Sequence, residues 1–108
     1  MNWPTIERIV PPTEAEREHA EWNAQCQQDI DLFLTINHSN TFTSEDFRMW
    51  CLQALHRKPP HHGTVWGAMW RAAALQGKIE KTNEVVRANV VDKRHKRTVN
   101  VWRRRYVP

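Results

Sequence analysis

Between Thr13 and Ile36 apolar residues return every three or four positions. Trp22, Cys26, Ile30, Phe33 and Leu34 form one stripe, with Glu21, Gln25, Gln28 and Asp29 opposite. This period predicts an amphipathic helix over 13–36, its stripe buried and its polar face in water. Thr13 is the expected N-cap, and Glu14, Glu16 and Glu18 favour the positive end of the helix dipole. The turn formers Asn37 to Asn40 end it. Thr41-Phe42 reads as a short extended piece. Thr43-Ser44-Glu45-Asp46 starts a second helix, capped by Thr43 or Ser44, with Phe47, Trp50, Cys51, Ala54 and Leu55 facing the core. Pro59-Pro60 cannot continue it, so it should stop near His56. A third helix is predicted to begin after Gly63 and run to about Gln76, with Trp66, Met69, Trp70 and Ala73 inward. Gly77 closes it, and Ile79 returns to the core.

After that the period shortens to two. Glu84–Val91 and Thr98–Trp102 read as strands, joined by the polar run Asp92-Lys93-Arg94-His95-Lys96-Arg97, which makes a β-hairpin. Pro4, Pro11 and Pro12 oppose a helix over residues 1–12, giving an extended arm that carries Trp3, Ile6, Ile9 and Val10. The expected organisation is an arm (1–12), one domain (13–102, core 41–102) and a basic tail (103–108). The fold class is α+β, mainly helical.

At 108 residues the chain has room for one hydrophobic core, and a hydrophobic fraction of 40% is that of an ordinary globular chain. No apolar run is long enough to span a bilayer, and the N-terminus lacks the apolar core of a secretory signal. Cys26 and Cys51 are far apart on apolar stripes and read as reduced core residues of a cytoplasmic protein.

Charge changes the picture. Residues 1–54 carry three basic and nine acidic side chains, a balance of −6; residues 55–108 carry thirteen basic and three acidic, a balance of +10. A chain so divided presents a basic face to a polyanion. The hairpin tip, Lys93, Arg94, Lys96 and Arg97, is the densest part of that face; Arg103-Arg104-Arg105 reads either as its extension or as a frayed terminus.

Catalytic signatures are missing. The sequence has no paired carboxylates at catalytic spacing and no H-E-x-x-H, and three glycines leave little scope for a phosphate loop. His61-His62 are adjacent, with no further ligand at metal-binding spacing, and the other histidines are scattered. The expectation is a non-enzyme without cofactor or metal. Trp22, Trp50, Trp66 and Trp70 fall on buried stripes; no stripe places Trp3 or Trp102, and either one, if outside the core, is a candidate interface anchor.

The chain's order is helix, short strand, helix, turn, helix, strand, basic loop, strand, and residues 41–102 resemble a winged helix-turn-helix domain, here with a long N-terminal helix before it and the C-terminal hairpin as wing. Phe42-Thr-Ser-Glu-Asp-Phe47 resembles its short strand and capped second helix. Val65-Trp-Gly-Ala-Met-Trp-Arg-Ala-Ala-Ala-Leu-Gln-Gly-Lys-Ile79 resembles its third helix, and Glu84–Trp102 its wing. From His61 onward the chain is similar to small winged-helix proteins encoded by bacteriophages and prophages, which close their wing on Val-Trp-Arg, as Val101-Trp102-Arg103 does.

The resemblance implies a double-stranded DNA partner, a role as a small phage or bacterial regulator or replication accessory, and a place in the bacterial cytoplasm or nucleoid. Thr64 and Arg71 would carry base contacts, and Lys78, Arg87, Lys93, Arg94, Lys96, Arg97, Arg103 and Arg104 would hold phosphates. The third helix departs from the pattern: Val65, Gly67, Ala68, Ala72 and Leu75 leave Arg71 as its one strong base-reading side chain. A second reading follows, in which that smooth face binds a protein, such as a host nucleic-acid machine or a defence complex that it inhibits. The arm and the N-terminal half of the long first helix offer a surface for a homodimer; the alternative is that the arm folds back on its own domain. No membrane contact is expected.

Overall fold

The computed structural model describes residues 10–37, 40–87 and 98–105. Three helices, α1 (Glu14–Ile36), α2 (Ser44–Gln53) and α3 (Thr64–Leu75), precede two antiparallel strands, β1 (Ile79–Arg87) and β2 (Thr98–Arg104). The fold is α+β and mostly helical. Of the described helices, none is long and apolar enough to cross a membrane. The arm residues Trp3, Ile6 and Ile9, the hairpin tip with its flanks at 88–97, and residues 106–108 lie outside the described residues.

Local chemistry sets the helix ends. Thr13 Oγ1 accepts from the Glu16 amide at 3.1 Å. Thr43 and Asp46 form a reciprocal capping box, at 3.1 Å for the Asp46 amide to Thr43 Oγ1 and 2.9 Å for the Thr43 amide to Asp46 Oδ2. At the far end of α3, Gly77 takes φ +76°, the left-handed conformation that glycine adopts without strain. The Gly77 amide then donates to the Ala74 carbonyl at 3.0 Å and the Lys78 amide to Ala73 at 3.1 Å, which closes the last turn. α2 stops at Gln53, three residues before the expected end. His56 turns the chain at φ 52°, and the Arg57 amide reaches back to the Cys51 carbonyl at 3.0 Å.

The core lies where α1, α2 and α3 meet the inner face of the hairpin. Ile30, Cys51 and Ile79 are its most enclosed side chains. Phe33 packs edge-on against Phe42 and Phe47, and Trp70 edge-on against Phe42 and Trp102. Trp102 is therefore a core-packing residue rather than a free anchor. Phe42 also exchanges both backbone hydrogen bonds with Trp102, at 2.9 and 2.8 Å, adding one rung on the open side of β2. The order across this small sheet is Phe42, β2, β1.

Four expectations change. β1 begins at Ile79, five residues before Glu84, because Ile79, Glu80 and Lys81 pair with Arg104, Arg103 and Trp102. For the same reason Arg103 and Arg104 belong to β2. Asp29, expected in water, is 3% exposed. Trp22 is half-buried under its own chain: it meets Trp66 edge-on at 4.9 Å, and its Nε1–H donates to the Lys58 carbonyl at 2.9 Å. Trp22 therefore needs no second subunit to cover it.

Candidate nucleic-acid interface

Thr64, Ala68, Arg71 and Leu75 recur at intervals of four, three and four, and all four are exposed. They make the outward face of α3, beside the equally exposed Gly67. Leu75, at its end, is 85% exposed. Val65 and Ala72 are half-buried, so the smooth face is narrower than the sequence implied. Arg71 stands in this face with no acidic partner among the described residues.

The start of α3 is held by histidines and an ion pair. Gly63 occupies the cap position and offers no side chain. Instead His62 Nδ1 receives the Thr64 amide at 3.3 Å and lies 2.9 Å from Thr64 Oγ1. His61 stacks on His19 of α1, ring centroids 3.5 Å apart. Partial desolvation in this stack, then the charges of His19 and His62, hold His61 below the usual histidine range. Among the described residues no group of three or more His, Cys, Asp or Glu is arranged to hold a metal.

Upstream, Arg57 clamps Asp29 of α1 with Nε to Oδ2 at 2.9 Å and Nη2 to Oδ1 at 3.1 Å, and Gln25 adds a third bond to Oδ1 at 3.0 Å. The hydrogen bond to Asp29 pushes the Arg57 guanidinium above its ordinary value. The clamp anchors the segment that delivers the chain to α3. Sequence reasoning missed it, because the partners are 28 positions apart.

The other expected phosphate contacts divide into three groups. Arg87 is exposed and is the last described residue of β1. Lys78, Arg103 and Arg104 already have partners: Lys78 pairs with Asp31 at 2.8 Å, Arg103 with Glu80 at 2.6 Å, and Arg104 donates to the Leu34 carbonyl at 3.2 Å. α1 has no basic residue in its last turn, so Lys78 and Arg104 bring positive charge to the negative end of its dipole. Lys93, Arg94, Lys96 and Arg97 lie outside the described residues. Comparison with family models, with curated proteins and with solved structures finds no match. Arg48 on α2 is a further cation beside α3, with no sequence signal beyond its charge.

Proposed function

We propose that the chain is a winged-helix module that grips the backbone of double-stranded DNA with little discrimination between sequences. Arg71, exposed and without an acidic partner on the outward face of α3, carries this reading. The balance of +10 in the second half of the chain supports it, as does Phe42 pairing with β2 on the side away from β1, the strand order of a winged helix. Small residues around Arg71 bring the helix close to a groove but offer few hydrogen bonds to base edges, so affinity comes from phosphates. The role is that of a small phage or bacterial regulator or replication accessory in the cytoplasm or nucleoid.

The test is duplex binding with random-sequence DNA across a salt series. Log affinity falls with log salt at a slope of about −0.9 per phosphate neutralised. Replacing Lys93, Arg94, Lys96 and Arg97 with alanine should flatten the slope by up to ~4 units, and Arg71→Ala by ~1. No binding at low salt would remove the reading.

The exposure of Leu75 beside Ala68 and Gly67 favours a second reading, in which α3 docks on a host protein machine, a defence complex among them. The duplex experiment separates the two.

A further inference from the structure

Three buried side-chain polar atoms among the described residues lack a hydrogen-bond partner: Asn23 Oδ1, Arg48 Nε and Trp70 Nε1. Two of them belong to residues that line one groove, of about 240 Å³, between the first halves of α2 and α3 and the start of β2. Trp70 is only 4% exposed. A buried N–H without an acceptor retains the cost of leaving water, and both atoms are shielded from solvent in the free chain, so an acceptor in the groove removes that cost only as the lining yields to it.

Glycine provides an independent observation. Gly63 and Gly67 line the same groove, and a Cβ built on either meets no atom within 4 Å. Gly67 sits inside α3 with ordinary helical φ, where glycine is a poorer helix former than alanine. Packing within the chain gives no reason for it. A bare stretch of helix backbone on the wall of an open groove suits close approach by something outside the chain.

The groove's chemistry selects the ligand. Arg48, the Trp70 indole and the Ser44 hydroxyl are donors. The first turn of α3 holds no acidic residue, and its cap has no side chain, so the positive end of its dipole adds to them. Glu45 is the one acidic group in the lining, and it sits in the first turn of α2, where the dipole of its own helix holds it. Donors in excess call for an anion with several acceptor oxygens.

We propose that this groove seats one backbone phosphate of a DNA duplex, held by the Arg48 guanidinium, with the Trp70 indole N–H uncovered to meet it as the lining yields and Gly67 admitting the adjoining sugar. The proposal rests on the DNA reading and adds a contact outside the basic residues that sequence alone singles out. A phosphate seat is indifferent to base identity, in keeping with a helix that reads few bases.

The experiment compares the full-length chain with Arg48→Gln and Gly67→Leu. Duplex affinity is measured across a salt series, and ¹H–¹⁵N spectra of the native chain follow the indole and Arg Nε–H signals. Both variants should bind about 10-fold more weakly, as loss of a charge-assisted contact implies, and Arg48→Gln should flatten the salt slope by ~1. Gly67→Leu should melt no lower than the native chain, and the Trp70 indole signal should shift on adding duplex. If the native chain binds duplex while both variants bind equally well and that signal stays still, the seat is overturned and the DNA reading stands. If the native chain binds no duplex, both fall. A poly-glutamate peptide moving the Trp70 and Arg48 signals where duplex does not would assign the groove to an acidic protein segment and overturn the proposal.

Discussion

Arg57→Met is the most informative perturbation of the scaffold. It removes both guanidinium bonds to Asp29 and leaves that carboxylate, its side chain 4% exposed, with the single amide bond from Gln25. Breaking a buried ion pair from one side costs ~3–5 kcal/mol, because the remaining charge stays desolvated. The Arg57 side chain is 38% exposed, so water already screens part of the attraction, and the discounted loss is ~2–3 kcal/mol. In a domain near one hundred residues this lowers the melting temperature by ~10–20 °C. Asp29→Leu combined with Arg57→Met removes both charges, and most of the loss should return. Urea unfolding of the native chain, the two single variants and the double variant at pH 7, followed by tryptophan fluorescence, gives the coupling energy directly. Single variants within ~0.5 kcal/mol of native, or losses that simply add in the double variant, would refute the clamp.

Thr43→Ala deletes one half of the capping box and should cost ~1 kcal/mol in chemical denaturation; no measurable loss would remove its role in starting α2. Because the fold holds His61 below its ordinary value, neutral His61 stabilises it: the contribution is present above about pH 6.5 and is lost as pH falls through the lowered folded value. Thermal melts between pH 5 and 8 should show that loss, and His61→Gln should shrink it; an unchanged profile in the variant counts against the His19 stack. Burial first, then the Asp29 charge, pushes the Cys26 and Cys51 thiols up to about 12. Neither should react with a disulfide reagent at pH 8 until denaturant is added, and a fast native reaction would show an open thiol.

What could be read from the chain alone was local. The helix stripes, the caps at Thr13 and Thr43 and the closing Gly77 depend on residues within four or five positions of one another, so their spacing carries them. The start of β1 does not: Glu80, Lys81, Thr82 and Asn83 have no apolar alternation, and only pairing with β2 makes a strand of this stretch. The sequence sets Asp29 opposite the α1 stripe, and its burial is decided by Arg57, which arrives from beyond α2 to pair with it. The positive charge of Lys78, Arg103 and Arg104 was legible, but their partners Asp31, Glu80 and the Leu34 carbonyl were not. The groove beside Gly67 exists only because α2, α3 and β2 converge there and leave two donors unmatched. Spacing determines which face a side chain occupies on its own element; the chain's return from a distance decides what that face meets.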